Sequence, residues 1–189
     1  VLDFHSGGRT LDFVPFAAAH ILPDKAQEAA SFAAVAAFGA PYSMKMLEID
    51  AVGMYDTAAE EQGKIFVTTE LGGGGTSTAN TVGIARRGVA NVLRHAGILS
   101  GEPEPAPTRW LDMPSADCFT FAEHDGLMEP LVDLGMPVER GDVVARIHSV
   151  DRTGTEPVDL RAGLSGILAA RHFPGLVKSG DCAAVVGTV

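Results

Sequence analysis

Positive charge is scarce in this chain. Its 189 residues carry 14 Lys and Arg against 24 Asp and Glu, a formal net charge of -10, and no basic run interrupts the acidic excess. A phosphate backbone would be repelled, so no nucleic-acid partner is expected. Cysteine is scarcer still: Cys118 and Cys182 are the only two. They make no metal-type spacing, and a chain of this size gains little from one disulfide, so a reducing, cytoplasmic setting is expected. Long apolar runs are missing. Stretches such as Phe32 to Phe38 fall far short of the roughly 20 residues that cross a bilayer. No signal peptide is visible, and no membrane partner is expected. What is abundant is core-forming material. Hydrophobic residues make up 46% of the sequence, which suits a globular chain of one or two domains rather than a disordered tail.

Two stretches stand out, each an apolar run that ends in a catalytically capable side chain and then breaks into glycine. The first is Val1-Leu2-Asp3-Phe4-His5-Ser6-Gly7-Gly8, and the second is Thr69-Glu70-Leu71-Gly72-Gly73-Gly74-Gly75-Thr76. In a strand, Asp3 and His5 share one face because side chains alternate. The glycines permit backbone paths and close approaches that a Cβ would obstruct. Open α/β sheets bind ligands beyond the ends of their strands, so the two stretches are expected to face each other across one cleft. On the residues alone, His5 is either a hydrogen-bonded edge residue or a metal ligand. Glu70 is either a solvated turn residue or a general base.

The wording of the two motifs resembles the succinylglutamate desuccinylase/aspartoacylase family of zinc-dependent acylases, and within it the branch that deacetylates N-acetyl-diaminobutyrate in ectoine breakdown. The resemblance runs over nearly the whole chain. It implies the C-terminal part of a zinc-carboxypeptidase-like α/β domain, with His5 as a Zn2+ ligand and Glu70 as the general base. Zinc would polarise the amide carbonyl and acidify a bound water, and Glu70 would take the proton and pass it to the departing amine. The family's upstream His-x-x-Glu pair does not occur in these residues, and the chain opens on Val1. The expectation is therefore the C-terminal portion of a longer enzyme, with the remaining zinc ligands upstream of Val1. The substrate implied is a small N-acyl amino acid. Succinylglutamate or acetylaspartate are the enzymatic alternatives, and a non-catalytic binding or assembly module is the other class; besides the small-molecule substrate, a homo-oligomer is among the expected partners.

Further along, Arg9 leaves the first loop where a guanidinium could pair with a substrate carboxylate. Asp24 and Gln27 are placed to form a capping box for a helix to about Phe38, stopped by Gly39-Ala40-Pro41. A strand is expected around Met44 to Ile49 and a turn from Asp56 to Gly63. A helix is expected from about Thr78 to His95, its apolar face carrying Val82, Val89, Val92, Leu93 and Ala96. The glycine loop lacks the Lys of a phosphate loop and the third Gly of a dinucleotide fingerprint, so Gly72 and Gly73 are expected to shape the acyl pocket beside Glu70.

Ser100 to Pro107 alternates Glu and Pro and reads as a linker. The expected division is a partial hydrolase domain over 1–100, a linker over 101–108 and a β-domain over 109–189. That last part repeats: Val138-Glu139-Arg140-Gly141-Asp142 returns as Val177-Lys178-Ser179-Gly180-Asp181, and Gly126-Leu127-Met128 as Gly166-Ile167-Leu168. Two such halves resemble the barrel-sandwich hybrid of biotinyl and lipoyl carriers. A carrier needs a lysine on the turn between the halves, but Arg152 stands there and no lysine occurs between Lys64 and Lys178. The domain is therefore expected to be a lid or assembly module. Glu123 and His124, just before Gly126, could lean over the site, with a surface role as the plainer expectation.

Overall fold

A computed structural model describes residues 1–47 and 53–189. The first part of the chain forms β1 (Leu2–His5), β2 (Leu11–Phe13), β3 (Phe16–His20), α1 (Lys25–Phe38), β4 (Tyr42–Met46), α2 (Tyr55–Glu60), β5 (Val67–Glu70), α3 (Ala79–His95) and β6 (Arg109–Asp112). The remainder is all strand: β7 (Phe119–Phe121), β8 (Gly126–Pro130), β9 (Pro137–Val138), β10 (Val143–His148), β11 (Val158–Arg161), β12 (Gly166–His172), β13 (Leu176–Val177) and β14 (Cys182–Gly187). A short 3₁₀ turn precedes β7. The architecture is mixed α/β.

Three sheets result. The first has the order β1-β5-β3-β4-β6, the second β2-β12-β14-β7 and the third β11-β10-β8-β13. In β3 every residue is buried, and its alternation separates two cores. Ala17 and Ala19 join Val35, Phe38 and Ile84 under α1 and α3. Phe16 and Ala18 join Met44 and Leu111 against Ile167, Ala169 and Val185 of the second sheet. Leu168, Val186, Met128 and Ile147 fill a third core between the second and third sheets. The layers therefore run helices, first sheet, second sheet, third sheet.

Asp24 caps α1 by accepting from the Ala26 and Gln27 amides, and Gly39 ends the helix in the left-handed region at φ 69°. Gln27 does not close a capping box. Its side-chain amide donates instead to the carbonyls of Glu60 and Lys64, at 2.8 and 2.9 Å. Part of the expected Asp56–Gly63 turn is the helix α2. The strand expected around 44–49 begins earlier, at Tyr42; Ile49 lies outside the described residues. In α3 the fully buried positions are Ile84, Gly88 and Asn91, where Gly88 makes room for the buried ring of Phe38; of the expected apolar face, Val92 packs on the same core, Val89 and Leu93 are half-buried, and Val82 is exposed.

The Gly-Asp repeats form matching turns. Asp142 accepts from the Glu139 amide and Asp181 from the Lys178 amide, both at 2.8 Å, with Gly141 and Gly180 at φ 92° and 94°. Two strands cross the proline-rich stretch: β6, beyond it, pairs with β4, whereas β2, well ahead of it, pairs with β12.

Candidate active site

Parallel pairing of β1 with β5 places His5 opposite Glu70, and antiparallel pairing of β5 with β3 places Phe16 opposite Glu70 on its other side. Both motif strands thus end at one level, and each chain then turns on glycine. Gly7 and Gly8 sit at φ 65° and 57°, a region that costs a residue with a Cβ about 1–2 kcal/mol. Gly7 is further constrained because a Cβ there would meet the Leu11 carbonyl.

This turn aims a backbone donor at the carboxylate: the Gly7 N–H donates to Glu70 Oε2. Burial pushes the Glu70 carboxyl above its ordinary range, opposed by that hydrogen bond and by His5, and reinforced by Asp3. A raised carboxyl is closer to the poise a general base needs near neutral pH. Asp3 and His5 share a strand face, and Asp3 Oδ2 lies 2.7 Å from His5 Nε2. The imidazole is exposed, and this partnership leaves Nδ1 as its open nitrogen.

A carboxylate on one imidazole nitrogen and an open position on the other is the arrangement that orients metal-ligating histidines. The donor chemistry at His5 therefore fits zinc, as one ligand with its carboxylate partner. Among the described residues no group of three or more His, Cys, Asp or Glu side chains could hold a metal ion.

A cavity of about 290 Å³ opens beside the pair. Its lining includes His5, Thr68, Glu70, Phe16, Met44 and Asp56. The other expected residues lie elsewhere. Arg9 is exposed in the turn before β2 and does not line this cavity. Gly72 and Gly73 line a separate depression with Asp12 and Phe173. They lie against the 11–13 segment: Phe13 N–H donates to the Gly72 carbonyl at 3.3 Å, and a Cβ on Gly73 would collide with Leu11 and Asp12. Glu123 and His124 are exposed, the Glu123 carbonyl accepting from Ser179 Oγ at 3.1 Å.

Sequence reading left three contributors without a role: Asp3 as the partner of His5, the Gly7 amide, and Asp56. The first was available from strand period. The second requires the register of β1 on β5, and the third requires the position of α2, neither of which has a periodic signature.

Residues 1–96 match the succinylglutamate desuccinylase/aspartoacylase catalytic domain. The chain is 51% identical to the N-alpha-acetyl-L-2,4-diaminobutyric acid deacetylase of Halomonas elongata, over 100% of this chain and 56% of that protein. The product-bound ectoine utilization protein EutE (DoeB) from Ruegeria pomeroyi is 62% identical with a TM-score of 0.96, over 100% of this chain and 57% of that one. A succinylglutamate desuccinylase from Silicibacter sp. TM1040 is 64% identical with a TM-score of 0.94, again over 100% and 57%. The chain spans a little over half the length of these relatives.

Proposed function

The chain belongs to the succinylglutamate desuccinylase/aspartoacylase family, and on that premise we propose that it carries the general base and one metal ligand of a zinc-dependent amidohydrolase. Its substrate is a small N-acyl amino acid, N-acetyl-diaminobutyrate foremost, and the products are acetate and the free amino acid. The observation that supports this most directly is the His5–Glu70 register at the mouth of one cavity, with Glu70 held by the Gly7 amide.

His5 would hold the zinc through Nδ1, with Asp3 orienting the ring by accepting from Nε2–H. Bound zinc supplies Lewis-acid polarisation of the scissile carbonyl. Glu70 Oε2 is fixed by Gly7, so Oε1 is the oxygen that takes the proton from the attacking water. The same oxygen returns it to the amine as the C–N bond breaks. Partial burial of Glu70 limits competing solvent. We read residues 1–100 as part of a zinc-carboxypeptidase-like domain and 109–189 as a barrel-sandwich-hybrid-like domain, the latter supported by the paired Gly-Asp turns.

Glu70→Gln in the full-length gene product that carries this chain tests the assignment. The amide still accepts from Gly7 but cannot serve as base, so turnover should fall by about 10²–10⁴ or more with zinc content unchanged. His5→Ala should lose zinc and turnover together. Near-normal turnover by Glu70→Gln would overturn the mechanism.

A further inference from the structure

We propose that Asp56 reads the free ammonium group of the substrate, so that the cavity selects N-acyl amino acids whose side chain ends in a cation. This rests on the amidohydrolase reading above and assigns a residue to its specificity.

Asp56 lies in the first turn of α2, and its side chain is only 15% exposed. Its Oδ1 accepts from the Thr57 amide at 2.7 Å, which fixes the carboxylate. Its Oδ2 has His20 Nε2 at 3.9 Å, beyond hydrogen-bond reach. The buried His20 is committed elsewhere, with Nδ1 at 3.0 and 3.2 Å from the two carboxylate oxygens of Glu60. No Lys or Arg is among the described residues that line the cavity, and Glu70 adds a second carboxylate to its wall. Among the described residues the one cation-capable side chain within 4 Å of this largely buried carboxylate is His20, itself shared with Glu60, and a carboxylate so placed favours a ligand that brings a cation.

The spacing fits. Phe16 is opposite Glu70, and His20, against which Asp56 sits, is four residues further along β3, a separation of about 13 Å at ~3.3 Å per residue. From the acyl carbonyl carbon of an Nα-acylated diaminobutyrate to its side-chain nitrogen is five bonds, about 6 Å when extended. With about 3 Å of contact at each end the molecule spans about 12 Å. A substrate with a carboxylate in place of the ammonium, such as an N-acyl glutamate, would direct it at Asp56 and be rejected by like charge.

The test compares N-acetyl-2,4-diaminobutyrate with its uncharged isostere N-acetylnorvaline, using the zinc-loaded full-length gene product. Wild type should prefer the cation by about 30-fold or more in kcat/KM, the scale expected for a desolvated charge pair. Asp56→Asn should abolish most of that preference by a loss on the cationic substrate, with N-acetylnorvaline changed less than about threefold. Calorimetric binding of 2,4-diaminobutyrate against norvaline gives the same comparison without turnover, and on wild type it needs no variant. Equal use and equal binding of the two compounds by wild type, or an equal loss on both in the variant, would overturn the role of Asp56 while leaving the amidohydrolase standing. Cleavage of neither compound would overturn both.

Discussion

Gly7 and Gly8 are neighbours with nearly the same backbone conformation and unlike surroundings, which makes them a controlled experiment. Gly8 has φ 57° and nothing within 4 Å of where a Cβ would be, whereas at Gly7, φ 65°, a Cβ would press on the Leu11 carbonyl and approach Gly73. Gly8→Ala therefore carries only the left-handed strain, about 1 kcal/mol. For a chain of this length that is roughly a 3 °C fall in melting temperature. Gly7→Ala carries the same strain plus an overlap with backbone atoms that cannot rotate away, together about 3 kcal/mol or more, or roughly 9 °C. The functional effects diverge as well. Relieving the overlap moves the 7–11 turn, and with it the N–H that holds Glu70. On the proposed function, turnover of N-acetyl-diaminobutyrate by the full-length gene product should drop at least about tenfold in Gly7→Ala and stay within about twofold in Gly8→Ala. Paired thermal melts and steady-state rates read both quantities. Equal melting temperatures would mean that Gly7 does not pack on the Leu11 carbonyl, and the account of how Glu70 is held would be wrong.

On the proposed zinc site, Asp3→Asn in the full-length gene product should weaken zinc binding about 10–100-fold, read by competition with a chelating dye, because it removes the carboxylate beside His5. Gly88→Ala should lower the melting temperature, since the gain of about 1 kcal/mol in helix propensity is outweighed by overpacking against the buried Phe38 ring. Gly83→Ala in the same helix meets only the mobile end of Arg87 at 3.3 Å and should raise it. Burial, joined by Asp181 and opposed by a contact to the Ala184 carbonyl, pushes the Cys182 thiol from 9.0 up to about 11. Its folded value lies above the unfolded one, so its contribution is intact below pH 9 and is lost as pH rises from there to about 11. Urea titrations at about pH 8 and pH 10 should show that loss, and Cys182→Ala should reduce it.

Local chemistry made much of this fold legible. Strand period put Asp3 and His5 on one face, Asp24 announced α1, and the paired Gly-Asp motifs announced the turns after β9 and β13. The misreadings share a cause, which is that long-range partners decide between local options. Gln27 suits a capping box, but the carbonyls at Glu60 and Lys64 offer its amide two acceptors. The α3 valines have helical spacing and Val92 does pack on the core, but the most buried line of the helix is set by Phe38, which needs the glycine at 88 opposite it. A six-residue helix such as α2 is shorter than two turns and too polar to show a stripe, and its Glu60 is buried by His20 from a strand 40 residues away. At the candidate site, His5 and Glu70 were legible from their motifs. The register that aligns them, and the presence of Asp56 in the lining of the same cavity, depend on how separate segments stack.

The strand exchange between the sheets bears on how such a protein could be recombined. Residues 11–13 sit in a sheet built otherwise from strands beyond residue 118, β6 returns to the first sheet, and Thr188 bridges to Asp112. The two halves are interlocked like a mortise and tenon rather than strung as beads. A chimera cut at the proline-rich stretch would inherit the tenon from one parent and the mortise from the other. Crossovers between relatives are therefore compatible only when residues 11–13 travel with β12 and β6 travels with β4, so the heritable block is defined by contact and not by contiguity.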